Sequence, residues 1–106
     1  MIRLTKINRA KSYYTYGGEP IDETPMFELE YNYKKVILTF HCDDNCNGLY
    51  VDCYYVDTER RLSNYNMVLI VNKLKHTIIK QLIIDYSRGV TLSFIRQFKR
   101  KYLRGW

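Results

Sequence analysis

Apolar residues change their spacing partway along this chain, and that change restricts which folds the sequence can adopt. Between residues 27 and 33 apolar and polar side chains alternate, which is typical of a β-strand with one buried face. After residue 62 apolar side chains recur every three or four positions, which is typical of an amphipathic α-helix. The sequence therefore predicts an α+β fold, with an N-terminal antiparallel β-meander followed by two C-terminal α-helices.

Three consecutive strands are predicted to form the centre of the meander. Residues 27–33 are the first, and residues 36–42 and 49–56, which are rich in β-branched and aromatic side chains, are the next two. We expect the Lys34-Lys35 pair to turn the chain after the first strand, and the polar segment 43–48 to turn it after the second. The first strand is predicted to bury four side chains: Phe27, Leu29, Tyr31 and Tyr33.

The N-terminal segments are predicted to add strands to the edge of this sheet. Residues 2–7 and the tyrosine-rich residues 12–16 have strand-like composition, so the sheet is expected to contain three to five strands. Residues 19–25 hold two prolines and three acidic residues, and they are predicted to be a surface loop.

The first helix is predicted from about residue 64 to residue 87, with Ser63 as its N-cap. Residues 68–71 are an open point, because they would also suit a fourth strand before a shorter helix. The predicted apolar stripe of the long helix consists of Met67, Val71, Leu74, Ile78 and Leu82. Its polar side consists of Asn72, Lys73, His76 and Lys80.

The last helix is predicted over residues 91–104 and has one apolar and one basic face. Thr91 is expected to cap its N-terminus, and Gly89 is expected to take the left-handed turn that closes the preceding helix. The apolar stripe consists of Phe94, Ile95, Phe98 and Tyr102. The opposite arc consists of Ser93, Arg96, Gln97, Arg100, Lys101 and Arg104.

The net charge of +6 is divided unequally along the chain. Residues 1–62, the predicted β scaffold, hold 8 Lys and Arg against 10 Asp and Glu, which gives −2. Residues 63–106, the predicted basic helical part, hold 9 Lys and Arg against Asp85 alone, which gives +8. With 106 residues the two parts form a single domain, and its basic end suits nucleic acid or another acidic partner. The alternative is a solvated basic face that complements the helix dipole.

The composition also predicts where the protein resides. No apolar run approaches the length of about 20 residues that a bilayer requires, and the N-terminus has no signal-peptide pattern, so neither a membrane span nor export is expected. Three cysteines, an odd number, fit buried thiols in a reducing cytoplasm. The chain is expected to fold alone or as a small oligomer such as a homodimer.

The residues around Gly89 carry a resemblance to a known family. A Gly-Val-Thr sequence is followed, four and seven positions after the Thr, by Ile95 and Phe98, and this pattern resembles the helix-turn-helix signature of DNA-binding proteins. The resemblance implies that the Gly makes the tight turn and that the second helix enters the major groove. The resemblance also implies which residues contact DNA. Arg100 or Lys101 would meet phosphate, and four residues would face the groove: Thr91, Ser93, Arg96 and Gln97. With the basic arc, the predicted binding residues are Thr91, Ser93, Arg96, Gln97, Arg100, Lys101 and Arg104.

Four residues are candidate zinc ligands, because thiolates and imidazoles are the ligands that zinc prefers: His41, Cys42, Cys46 and Cys53. Neighbouring residues of a strand point to opposite faces, so His41 and Cys42 cannot both be ligands. If residues 47 and 48 form a two-residue turn, Cys42 lies opposite Cys53, which favours a buried thiol pair or a disulfide. No metal and no cofactor is predicted.

Three functions remain as hypotheses. The leading one is a small intracellular nucleic-acid-binding or regulatory protein that acts without catalysis through its basic last helix. The alternative is a protein-binding inhibitor or adaptor of the phage or virus type, which blocks a host nucleic-acid-handling or defence complex and uses its acidic segment 19–23. The third is a small ribonuclease-like toxin with His41 or His76 as acid or base. No nucleophile–base pair stands out, so no catalytic residue is assigned and an enzyme is not predicted.

Overall fold

A computed structural model describes residues 1–12, 22–42 and 49–102. Its strands are β1 (Ile2–Ser12), β2 (Asp22–Tyr31), β3 (Lys34–Cys42) and β4 (Leu49–Tyr55), and its helices are α1 (Asn64–Lys73), α2 (Lys75–Asp85) and α3 (Arg88–Tyr102). The sheet has the order β1-β2-β3-β4, and each strand is antiparallel to its neighbour in sequence. The predicted α+β fold, an antiparallel meander followed by helices, is confirmed.

The hairpin between β2 and β3 turns at different residues from those predicted. Tyr31 pairs with Lys34, so the turn consists of Asn32 and Tyr33, which have φ angles of 50° and 69°. Positive φ at both positions is typical of the two-residue turns that match the twist of a hairpin. The prediction that Lys34 and Lys35 form the turn is therefore wrong, as is the prediction that Tyr33 is buried, since it is 88% exposed. The remaining predicted inward-facing residues, Phe27, Leu29 and Tyr31, are buried.

The N-terminal part of the sheet is more regular than the sequence indicated. Residues 2–12 form one strand, and residues 13–16 lie outside the described part of the chain. Residues 22–25 belong to β2, so the predicted loop over 19–25 is wrong for them. Pro25 is tolerated there because it pairs with β1 only, and the ladder to β3 begins at Met26.

A bulge at Thr5 changes which side chains of β1 face the helices. Before it, Leu4 lies opposite the buried Leu29, and after it Ile7 lies opposite the buried Phe27. Because side chains alternate along a strand, the bulge brings Arg9 to the inner face of the sheet. This placement decides the partner of Arg9 described below.

The register between β3 and β4 rules out the predicted pairing of two cysteines. Cys42 lies opposite Leu49, and Cys53 lies opposite Leu38. A two-residue turn at 47 and 48 would instead have paired Val36 to Leu38 with the polar residues 57–59. The observed register matches the apolar β4 to the apolar β3, and it leaves Cys53 as a free, buried thiol.

The predicted helix 64–87 is two helices. Ser63 caps the first as predicted, because its Oγ accepts a hydrogen bond from Asn66 N at 3.2 Å. Leu74, with φ −101° and ψ 11°, separates α1 from α2, yet its N–H still reaches Ile70 O at 3.0 Å. The apolar stripe continues through the break, which is why the period alone does not reveal it. Residues 68–71 lie in α1, so their alternative assignment to a strand is wrong.

The helices pack on one face of the sheet, and aromatic rings join the two layers. Phe27 contacts Phe40 edge-to-face at 5.8 Å between centroids, and Phe40 contacts Phe94 in the same way at 5.3 Å. The series continues along α3 through Phe98 to Tyr102. Such pairs add to the burial of large apolar rings, so they dock α3 onto the sheet. Within the described residues, no helix is both long and apolar enough to span a bilayer.

Candidate nucleic-acid interface

The start of α3 is set by Ser87. Its Oγ accepts a hydrogen bond from Val90 N at 3.1 Å, and its carbonyl oxygen accepts one from Thr91 N at 3.1 Å. Gly89 consequently lies in the first turn of α3. The predictions that Gly89 makes a left-handed turn and that Thr91 is the N-cap are therefore wrong. Ser87 is an equally good cap by residue type and lies four positions earlier.

Thr91 is buried and therefore does not lie on the exposed face of α3. Its side chain is 0% exposed, and its Oγ1 donates a hydrogen bond to Ser87 O at 2.7 Å. A hydroxyl that is buried and bonded within the helix is out of reach of a partner, which argues against the predicted binding role of Thr91. The helix-turn-helix resemblance loses its groove-facing Thr, and the turn itself is reduced to Tyr86 and Ser87.

The remainder of α3 is arranged as its period predicts. Phe94 and Phe98 are each 5% exposed, and Ile95 and Tyr102 pack against the core from its edge. Four of the predicted binding residues on the other side are exposed: Arg96, Gln97, Arg100 and Lys101. Ser93 is half-buried. Arg104 lies outside the described residues.

Basic side chains cover more of the helical layer than α3 alone. Three exposed basic residues of α3 were predicted for the interface. α1 contributes one more, α2 contributes two, and α3 contributes another two, one in its first turn and one in its last. The basic helical surface defined here consists of Lys73, Lys75, Lys80, Arg88, Arg96, Lys99, Arg100 and Lys101, all of them exposed.

Asp85 is the one acidic residue in the described helices, and it is hidden from solvent. Its carboxylate is 3% exposed, accepts a hydrogen bond from Arg9 Nη2 at 2.5 Å, and accepts another from Gln81 Nε2 at 3.0 Å. Arg9 reaches it from the inner face of β1. As a result, the described residues of the helical layer expose eight cations and no carboxylate.

An apolar cleft opens between α2 and α3 beside this surface. It has a volume of about 250 Å³, and it is walled by isoleucine and phenylalanine side chains. Lys75, His76 and Lys99 stand at its rim. The sequence did not reveal this cleft, because its existence depends on how the two helices are placed relative to each other.

The two histidines considered for catalysis lie in different layers. His41 is on the outer face of β3, where its Nε2 is 2.9 Å from Thr39 Oγ1 and its ring stacks on Tyr50. Burial lowers the pKa of His41 below its ordinary value, and the nearby Asp52 carboxylate offsets this only in part. His76 is exposed on α2. The two histidines therefore lie in separate parts of the structure.

The cysteine and carboxylate side chains do not assemble a metal centre in the part of the chain that is described. Burial, with the negative charge of Asp52 adding to it, raises the pKa of Cys53 to about 12. A thiol of that pKa stays protonated, and a protonated thiol is a poor metal ligand.

Comparisons with other proteins provide no independent indication of function. No model of a known protein family matches the chain, and no curated protein or solved structure is significantly similar to it. The charge and geometry of the described residues are therefore the basis for inferring what the protein does.

Proposed function

We propose that the protein binds nucleic acid through the basic helical surface and acts without catalysing a reaction. One observation carries this proposal: eight exposed cations share a layer whose described residues expose no carboxylate, because Asp85 is buried against Arg9. Phosphate groups are spaced along nucleic acid so that several lysines and arginines can be neutralised at once.

Helix stability alone does not account for these charges. Cations in the last turn of a helix interact favourably with its dipole, which explains Lys99, Arg100 and Lys101. Arg88 and Lys75 lie in the first turns of α3 and α2, where the dipole disfavours a positive charge. Neither first turn contains an acidic residue. An anionic partner would offset this cost for Arg88.

The exposed polar residues of α3 support two different roles at such a partner. Arg96 carries two donors that match the O6 and N7 acceptors of guanine, and the Gln97 amide carries a donor and an acceptor that match N7 and N6 of adenine. Arg100 and Lys101 suit phosphate oxygens. Reading of base edges by Arg96 and Gln97 remains a prediction.

Salt dependence tests the proposal most directly. Fluorescence anisotropy with a short labelled DNA duplex of mixed sequence should give a log–log slope of affinity against salt of about −3 to −5, as expected when four or five charges are neutralised. Replacing Arg100 and Lys101 together by Gln should make this slope shallower by about 2.

A matched control separates a specific surface from net charge. Replacing Lys34 and Lys35 by Gln removes the same number of charges from the exposed start of β3 and should leave the slope unchanged. Absence of binding even at low salt would refute the proposal. Equal effects of the two double substitutions would show that the helical layer has no special role.

The other two hypotheses receive less support from the described residues. The acidic segment 19–23, on which the inhibitor hypothesis depends, lies mostly outside them. The ribonuclease hypothesis rests on a single histidine, His41 or His76, as acid or base. Neither hypothesis is supported by a feature comparable to the basic helical surface.

A further inference from the structure

We propose that the cleft between α2 and α3 is a docking site for an acidic segment of a partner protein, which inserts a large apolar side chain between the two helices. This inference is independent of nucleic-acid binding, because it derives from the apolar walls of the cleft and not from the basic helical surface as a whole.

The walls of the cleft favour an apolar group. Ile78, Phe94 and Phe98 lie at the buried floor and are 1 to 5% exposed, and the half-buried Ile79 and Ile95 form the sides. A nucleobase inserted between the apolar walls would bury the polar atoms of its edge where these walls offer no hydrogen-bond partner, which is costly. An aliphatic or aromatic side chain has no such groups and gains from leaving water.

The rim of the cleft carries positive charge, which favours a partner of negative charge. Lys75 and Lys99 are exposed on opposite sides of it, one on α2 and the other on α3, and His76 adds a polar ring beside Lys75. Acidic residues that flank the inserted side chain would therefore meet cations at both edges.

Two other occupants fit less well. A second copy of this chain would bring another layer of exposed cations against the first, and like charges facing each other oppose association. A small apolar molecule usually fills an enclosed pocket of about 300–1,000 Å³. The cleft has about 250 Å³ and is open along one side, which suits a single anchoring side chain of a larger partner.

A designed peptide provides the probe. It is a short labelled helical peptide with a leucine stripe and glutamates at the remaining positions, and its affinity is measured by fluorescence anisotropy. Ile79→Glu places a carboxylate in the cleft and should weaken binding about tenfold or more. Ile83→Glu on the same helix makes the same change at an exposed position outside the cleft and should alter the affinity less than about twofold.

A second pair of substitutions repeats the test on α3. Ile95→Glu lies in the cleft, and Leu92→Glu is 44% exposed and does not line it. Circular dichroism verifies that each variant is folded. The inference is supported if only the two substitutions within the cleft weaken peptide binding.

Four other results would overturn it. A scrambled peptide of the same composition binding equally well would mean that general attraction between charges is responsible. Laurate binding that is lost in Ile79→Glu, without peptide binding, would assign the cleft to an acyl chain. A dimer in light scattering that Ile79→Glu dissociates would assign it to a second copy. Equal losses in all four variants would exclude the cleft.

If the peptide binds as expected and the duplex does not, the nucleic-acid proposal fails and this inference stands.

Discussion

Asp85 shows how the environment of one residue alters the charge of a whole surface. A carboxylate in the middle of a basic helical region would be expected to interrupt its positive potential. Here the carboxylate is turned toward β1, and the guanidinium of Arg9, which is 46% exposed, covers it. The sequence shows that Asp85 is the lone acid of its region, but the partner 76 positions away depends on the bulge at Thr5.

Breaking this contact should destabilise the protein. Arg9→Ala leaves the buried Asp85 carboxylate with Gln81 alone, and we expect a loss of about 1–3 kcal/mol in the free energy of unfolding, measured with urea. Arg3→Ala is the control, since it removes the same side chain from the same strand but breaks an exposed pair with Glu30. Exposed pairs contribute about 0–1 kcal/mol. Equal losses would mean that burial of Asp85 has no energetic consequence.

Cys53 is expected to be chemically inert in the folded protein. Its thiol is 3% exposed, and its pKa of about 12 leaves almost no thiolate at mildly alkaline pH. Iodoacetamide should therefore leave Cys53 unmodified until urea unfolds the chain, and mass spectrometry of peptides distinguishes it from the other cysteines. Rapid modification under native conditions would contradict its burial.

The same pKa has a defined effect on stability. An unfolded thiol loses its proton near pH 9.0, whereas the folded one retains it until about pH 12. The contribution of Cys53 to stability is therefore complete below pH 9.0 and declines as the pH rises through this range.

At the scale of elements, the apolar period predicted which structures form but not where each one ends. Ser87 and Thr91 are both good N-caps by residue type, and only the fold decides that Thr91 is buried. The break at Leu74 interrupts neither the stripe nor the hydrogen bond to Ile70. The hairpin turn at Asn32 and Tyr33 was missed because Tyr rarely adopts a positive φ.

Substitutions on the two faces of α3 should affect different properties, stability on one face and duplex binding on the other. Phe98→Ala removes a 5% exposed ring from between Phe94 and Tyr102, so we expect a loss of about 3–5 kcal/mol in the free energy of unfolding. Arg100→Ala, on the exposed face, should change stability by less than about 0.5 kcal/mol and weaken duplex binding. Thermal denaturation measures the stability of both variants. An unchanged melting temperature in both variants would indicate that α3 is not docked on the sheet.

At the scale of the whole molecule, the unequal division of charge along the sequence becomes a difference between layers. The count of charged residues on either side of residue 62 was enough to predict a basic helical part. It did not reveal that Asp85 would be covered, nor that a cleft would separate α2 from α3. Both features depend on how separate elements pack against each other, and the spacing of residues along one element does not determine this packing.

The order of strands in the sheet bears on how quickly the protein folds. Each strand pairs with its neighbour in sequence, and the helices follow in turn, so most native contacts join nearby segments. Chains of this kind lose little entropy in closing each loop, and they reach the native state faster than sheets built from distant strands. The bond between Arg9 and Asp85 is an exception, because it spans 76 positions. Because it joins the meander to α2, we expect it to form late in folding and to slow unfolding more than it speeds folding.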